Sequence, residues 1–372
     1  MKIGVDVSFL ARDSRGMGRM AKALLGILLS KYRDEYYFLM PLHEKDKRAV
    51  MRMYPSSGVE FLPLADADKL DVMLFPWNRV DFTPKCRRVA IIHDVAMFRF
   101  FSPNKMDNCR DRDRVRAAAA AADAIATPSE FSKSEISVFL GVPPEKIVVI
   151  PLGTDACFTP VSSEGAAEFL KTYSAGCPYL LFVGSPDRRK NLSTLLMAFD
   201  CFKDRFDFPH KLVIAGSRPS FMRKPPLLES LLGRIVKKRP DGLEFVWRSM
   251  RHKDDVIWLG TVSDSDLTKL YGLSSLFVFP SLYEGFGIPL LEAFACASPV
   301  VAADIPVFRE IGVDAPLYFD PHDPGELADR IGAVLSSGRL AASMRAKGLE
   351  RLRHYGWEKT AAGYAGLFRS LL

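Results

Sequence analysis

The sequence predicts an α/β chain made of two doubly wound domains in tandem. Three observations predict it. Short β-rich apolar runs alternate with longer amphipathic stretches, the pattern of parallel strands joined by crossover helices. The alternation restarts after Pro151-Leu152-Gly153-Thr154-Asp155 and Phe158-Thr159-Pro160, which look like the entrance of a linker. The length, 372 residues, exceeds one ordinary core and suits two.

The elements follow in order. In the first half, strands are expected at 3–7, 37–40, 59–62, 72–75, 89–92, 124–127 and 147–150, each bounded by turn residues or charges. Helical patterns fall between them at 17–31 and 114–122. In the second half, strands are expected at 179–183, 211–215, 256–259, 276–279 and 299–302. Helices are expected at 192–203, 264–273, 288–295 and 324–335, with Ser263 capping the second of them. The least regular part is 217–255, which gathers Arg223, Lys224, Arg234, Lys237, Lys238, Arg239, Arg248 and Arg251 beside Phe245 and Trp247. One helix near 227–236 on a solvated basic surface explains it; a patch facing an anionic acceptor or a membrane is the sharper alternative.

Composition bounds the function. A hydrophobic fraction of 48% and a charged fraction of 26% describe a soluble globular chain. No apolar run approaches the ~20 residues of a membrane-spanning helix. The N-terminus, MKIGVDVSF, reads as a first strand and not as a signal peptide, because Asp6 interrupts its apolar run. Cys86, Cys109, Cys157, Cys177, Cys201 and Cys296 form no CxxC pair and no metal-ligand spacing, so free thiols in a reducing cytoplasm are expected. The net charge of +7 favours anionic partners. Nucleic acid is not expected, since no recognition signature for it is present.

The richest chemistry lies at residues 280–292, PSLYEGFGIPLLE. A buried strand runs into a loop with two glycines, and a helix begins. Ligands of open α/β sheets bind at the carboxyl ends of strands. Gly285 and Gly287 let the backbone approach a ligand closely, and their N–H groups, with that of Phe286, can donate to phosphate or sugar oxygens at a helix N-terminus. Pro289 suits the first helical turn. Glu284 and Glu292 stand about two helical turns apart, placed so that one meets a sugar and the other the ribose hydroxyls. Read alone, such a pair is a capping Glu and a surface Glu. The surrounding glycines, aromatic residues and proline speak against that.

EGFGIPLLEAFACASPVVA resembles the Glu-x7-Glu motif of the retaining glycosyltransferases of family 4, which have the GT-B fold. The resemblance covers nearly the whole chain. Gly16-Met17-Gly18-Arg19 looks like the family's N-terminal Gly-rich loop. His93-Asp94, Pro128-Ser129-Glu130-Phe131-Ser132, Pro151-Leu152-Gly153-Thr154-Asp155, Val183-Gly184, Arg189-Lys190-Asn191-Leu192 and Trp357-Glu358 match in order and spacing. The resemblance implies two Rossmann-like domains facing each other across a cleft. These are an acceptor-side domain at 1–158 and a donor-nucleotide domain at 159–356, with the final helix, 357–372, packing back on the first.

It also implies roles. Glu284 contacts the donor sugar, with Gly285, Phe286, Gly287 and Ile288 lining the same loop, and Glu292 binds the ribose. Lys190, helped by Arg189 near Gly184, clamps the donor diphosphate, and a fixed cation there stabilises the charge that grows on the leaving group. Gly16 and Met17 reach the phosphate or sugar. His93 bonds the donor sugar or supports an oxocarbenium-like state. Ser217 and Val262 lie near the nucleobase. Two positions depart from the pattern: Ser185 stands where many relatives carry Arg, and Ala297 near a usual Gly.

The resulting expectation is a retaining transferase with catalytic residues His93, Lys190 and Glu284. It would use a nucleotide-sugar donor, GDP-mannose or a similar compound, and a saccharide or lipid-linked acceptor in cell-surface polysaccharide assembly. It would work in the cytoplasm or on the inner face of the membrane, where the basic stretch 105–116 and the 217–255 region could attend to the interface. No metal is expected, since Asp111-Arg112-Asp113 sits in a charged helical stretch and not at a strand end. A sugar-nucleotide epimerase and an inactive nucleotide-binding scaffold are the alternatives.

Overall fold

The computed structural model describes residues 1–372 apart from 14–15, 33–35, 42, 55–59, 101–104, 163 and 223–241, and apart from the side chains of 36 and 105–108. The expected helix near 227–236 and six of the basic residues named above, Arg223 to Arg239, lie outside the described residues, as does residue 59.

The chain divides into two compact units. Unit 1 comprises Met1–Asp155, Glu284–Ile288 and His354–Leu372. Its strands are β1 Lys2–Asp6, β2 Tyr36–Met40, β3 Glu60–Phe61, β4 Val72–Phe75, β5 Arg87–Ile91, β6 Ala124–Thr127 and β7 Ile147–Val149. Its helices include α1 Gly16–Lys31, α2 Glu44–Met53, α3 Lys105–Ala121 and α4 Glu130–Leu140. The seven strands form one sheet in the order β3-β2-β1-β4-β5-β6-β7, and every pairing is parallel. The central strands β1 and β4 are apolar because helices cover both their faces. Val72, Met73, Leu74 and Phe75 are all buried.

Unit 2 comprises Ala156–Tyr283 and Pro289–Arg353. Its strands are β8 Tyr179–Val183, β9 Lys211–Ala215, β10 Val256–Gly260, β11 Leu276–Phe279, β12 Val300–Ala303 and β13 Leu317–Phe319. Its described helices include α5 Ala166–Ser174, α6 Leu192–Arg205, α7 Gly242–Ser249, α8 Asp264–Leu273, α9 Ile288–Ala295 (whose first residue is assigned to unit 1), α10 Pro306–Gly312, α11 Pro324–Ser336 and α12 Gly338–Leu352. The order is β10-β9-β8-β11-β12-β13, again parallel throughout. Both sheets are doubly wound, and the strand order reverses between β1 and β4 and between β8 and β11. Those two switch points are where such folds bind ligands.

Local chemistry sets the helix ends. Ser263 caps α8 by accepting from Asp266 N. Asp323 caps α11 through Gly325 N and Glu326 N, with Pro324 in the first turn. Ser129 caps α4, which ends at Gly141 in the left-handed region, φ 65°. The last helix, Trp357–Ser370, packs against α1. Its Trp357 Nε1 donates to Asp155 Oδ1 at 2.9 Å, and Thr360 Oγ1 donates to Pro151 O at 2.7 Å.

Three expectations need correction. Gly16-Met17-Gly18-Arg19 is the first turn of α1 and not a loop. Gly18 is needed there because a Cβ would lie 1.9 Å from Asp13 O. α3 begins at Lys105, nine residues before the expected 114, since its charged first half has no apolar stripe. β13 was not expected at all, because three residues on a sheet edge show no period. Among the described residues, no helix is long and apolar enough to cross a membrane.

Candidate functional site

The candidate residues fall into two groups, one in each unit. In unit 2, Gly184, Ser217 and Val262 follow the carboxyl ends of the neighbouring strands β8, β9 and β10. The backbone there is tightly interleaved. Gly184 N donates to Ala215 O and Gly216 N donates to Gly260 O, both at 2.9 Å. A Cβ on Gly216 would lie 1.9 Å from Gly184 O, so only glycine fits.

The loops after β8 and β11 meet at the switch point. Asp187 Oδ1 accepts from Arg189 N at 2.8 Å, fixing the turn of Arg188–Lys190. Leu282 N then donates to Arg189 O at 2.8 Å, and Arg189 Nη1 donates to Tyr283 O at 3.4 Å. Lys190 Nζ stands 5.4 Å from the centre of the Phe279 ring, at the end of β11. Two cations are thus held by strand-end loops where an anion is expected to bind. Arg188 is exposed on the same turn. Glu292, on α9, is buried and accepts from Tyr271 OH at 3.0 Å. Tyr271 was not anticipated: it is 21 positions away, on α8, and nothing in the local sequence couples the two.

In unit 1, His93 follows β5. Its N donates to Asn78 Oδ1 at 2.7 Å, and its Nε2 lies 3.0 Å from Pro76 O. A carbonyl can only accept, so Nε2 carries the proton. Burial pushes the imidazole below its ordinary value, with the Pro76 bond opposing, so the ring is neutral and Nδ1 is left as an acceptor. The Glu284–Ile288 loop belongs to this unit. Gly285 packs on the His93 segment: a Cβ there would meet His93 O at 2.4 Å and Asp94 Cβ at 2.8 Å. Glu284, Gly285, Phe286 and Gly287 are buried. The structure therefore brings His93 and Glu284 to neighbouring backbone segments.

Gly16 is exposed at the start of α1, and Met17 lines a cavity of 620 Å³ with Phe9, Arg12, Asp13, Trp77 and Asn78. This cavity opens at the carboxyl ends of β1 and β4, the switch point of unit 1, and it adjoins His93 through Asn78. Arg12 and Arg79 flank the Phe9 ring at 5.7 and 4.9 Å from its centre. Asp46 holds Arg12, and Asp81 holds Arg79. Arg19, from the same glycine-rich turn, is tied to Asp155 at 2.7 Å. Phe9, Trp77 and Asn78 escaped the sequence reading because they lie just past strand ends without a motif around them.

Residues 172–351 match the family model of glycosyl transferases group 1. The chain is 29% identical over 276 residues to the Escherichia coli O-antigen chain mannosyltransferase B, covering 73% of this chain and 67% of that protein. It is 25% identical over 359 residues to the Escherichia coli serotype-specific mannosyltransferase WbdA, covering 94% of this chain and 38% of the relative. Among solved structures, Anabaena HepE in complex with UDP-glucose superposes over 100% of both chains with a TM-score of 0.73 at 16% identity. The two parallel-sheet units are Rossmann-like domains of the GT-B fold, and residues 172–351 belong to the group 1 glycosyl transferases.

Proposed function

We propose that the chain is a retaining glycosyltransferase of cell-surface polysaccharide assembly. It moves mannose or a related hexose from a GDP-linked donor to a saccharide or lipid-linked acceptor, in the cytoplasm or peripherally on the inner membrane face. The observation that carries this is the Glu284–Ile288 loop, with a buried carboxylate and a glycine packed without space on the His93 backbone. The names of the mannosyltransferase relatives support the choice of sugar.

In this mechanism Lys190 and Arg189 hold the donor diphosphate, and Glu284 and the loop N–H groups hold the sugar. Glu292, oriented by Tyr271, takes the ribose hydroxyls. Gly184, Ser217 and Val262 line the nucleotide. His93, neutral, accepts at Nδ1 from a sugar hydroxyl. The bond from the anomeric carbon to the diphosphate oxygen breaks while an acceptor oxygen arrives on the same face. The acceptor proton passes to the departing phosphate oxygen. Neutralisation of the leaving group is assigned to side chains and to no metal ion, so transfer should persist in excess EDTA. The cavity at Phe9, Arg12, Asp13 and Trp77 offers an aromatic face, fixed guanidinium donors and a carboxylate, the chemistry that a hydroxyl-rich acceptor needs.

The experiment is a thermal-shift panel of GDP-, UDP-, ADP- and TDP-sugars, followed by a transfer assay. A true donor at ~100-fold excess over its dissociation constant stabilises the fold by about 2.7 kcal/mol. Lys190→Ala should lower kcat by about 10²–10³-fold, and Glu284→Ala should also depress transfer. Unchanged transfer in both variants overturns the assignment. Epimerised donor without transfer identifies an epimerase instead. No shift with any nucleotide sugar removes the donor site.

A further inference from the structure

The segment 128–132 supplies none of the donor contacts proposed above, yet two of its side chains end on the sugar-binding loop. Ser129 and Ser132 are fully buried. Ser129 Oγ accepts from Ser132 N at 3.0 Å, capping α4, and its own proton goes to Gly285 O at 2.6 Å. Ser132 Oγ lies 2.8 Å from the same carbonyl and 3.2 Å from His93 O. One loop carbonyl thus receives two hydroxyls, which occupies both of its lone pairs. The single Ser132 proton is shared between that carbonyl, its nearer acceptor, and His93 O.

A planar, trans peptide sends its C=O and its N–H to opposite sides. Gly285 C=O and Phe286 N–H belong to the same peptide. Holding the carbonyl against the N-terminus of α4 therefore turns the Phe286 N–H away from α4. The close packing of Gly285 on the His93 segment places that peptide, and the two hydroxyls fix the direction of its carbonyl.

We propose that Ser129 and Ser132 are positioning residues that set the direction of the Phe286 N–H, and with it the grip of the Glu284–Ile288 loop on the donor sugar. This inference rests on the donor-site assignment above. Neither serine touches the sugar or the diphosphate in it; both act through the Gly285 peptide. Buried serines that merely fill space and satisfy one another would leave sugar affinity untouched.

The test compares Ser132→Ala, which leaves the Ser129 cap in place, with Ser129→Ala, the double variant and Ser129→Thr. The ligands are GDP-mannose against GDP, and UDP-glucose against UDP, measured by titration calorimetry, with donor KM and kcat alongside. For whichever pair the wild-type chain binds, Ser132→Ala should weaken the sugar nucleotide by roughly tenfold, the worth of one lost hydrogen bond. Affinity for the bare diphosphate should stay within about twofold, far less than one hydrogen bond. The double variant should lose more, and Ser129→Thr, which keeps both cap and donor, should match wild type. Wild-type affinity for the sugar nucleotide in the double variant overturns the proposal, as does an equal loss for the bare diphosphate. A wild-type chain that binds none of the four ligands overturns the donor assignment and this inference together, an outcome seen before any variant is made.

Discussion

Asp6 ends β1 with no exposure to solvent, and its Oδ2 has no hydrogen-bond partner among the described residues. Its Oδ1 accepts from Ser8 N at 3.0 Å and from the Ser8 hydroxyl. Desolvation outweighs those bonds and raises the carboxyl from 3.8 to about 6. A carboxyl whose folded-state value is raised costs stability when it ionises. Below the unfolded value both states are protonated and nothing is lost; the penalty grows as pH rises through the interval and is complete above the folded value. Its full size is about 3 kcal/mol. Asp6→Asn cannot ionise, so its stability relative to wild type should improve by about 2.4 kcal/mol between pH 4, where the penalty has already begun, and pH 8. Urea unfolding at the two pH values checks it, and a constant difference would refute the buried-charge account. The thiols offer a second check. Cys109 and Cys157 are exposed, whereas Cys296 is buried and its thiol is pushed up to about 12, chiefly by desolvation. In the native chain a thiol reagent should therefore label Cys109 and Cys157 first and Cys296 only after denaturant is added. Early labelling of Cys296 by mass mapping would contradict that order.

Among the elements, α1, the segment after β7 and the final helix meet at one carboxylate, beside the Thr360–Pro151 bond and the Lys31–Glu358 pair. Asp155 accepts from Arg19 at 2.7 Å and from Trp357 Nε1 at 2.9 Å. Asp155→Ala removes the acceptor of the Trp357 indole N–H and one partner of the Arg19 guanidinium, at a cost of about 1–3 kcal/mol. A loss of Tm without loss of fold is expected; a Tm equal to wild type would show that water replaces the carboxylate fully. This joint explains what the sequence makes legible and what it does not. Strands such as Val72–Phe75 and Leu276–Phe279 announce themselves, because burial on both faces demands an unbroken apolar run. The caps Ser263 and Asp323 are legible from their own side chains. The partners of site residues are not. Tyr271 reaches Glu292, and Ser129 reaches Gly285 across 156 positions, through tertiary packing that leaves no periodic trace. Even Gly16-Met17-Gly18-Arg19 shows its residue types without its geometry. Gly18 is dictated by Asp13 O and Arg19 by Asp155, so half of that motif serves packing.

At the scale of the whole chain, the two sheets belong to two compact units, and the proposed nucleotide contacts at Lys190, Ser217, Val262 and Glu292 all belong to unit 2. Binding to a folded unit stabilises that unit by mass action and reaches the other only as far as the two unfold together. The four tryptophans divide evenly, Trp77 and Trp357 in unit 1 and Trp247 and Trp258 in unit 2. A Trp247→Phe/Trp258→Phe variant therefore reports unit 1 by fluorescence, and a Trp77→Phe/Trp357→Phe variant reports unit 2, each leaving the reported unit's own sequence intact. With GDP, or whichever nucleoside diphosphate the panel selects, at ~100-fold excess, the urea midpoint of unit 2 should rise by the equivalent of about 2.7 kcal/mol. The unit 1 midpoint should rise less. Equal shifts would mean that the chain unfolds as one block, and a larger shift in unit 1 would move the nucleotide to the β1–β4 switch point and overturn the roles given to Lys190 and Glu292. The diphosphate is anionic and the chain carries +7, so the same titration should weaken as salt is raised above ~0.15 M, where exposed charges more than ~8 Å apart are screened. A salt-independent affinity would place the binding energy in the base and sugar pockets and leave the Arg188–Lys190 turn a minor part.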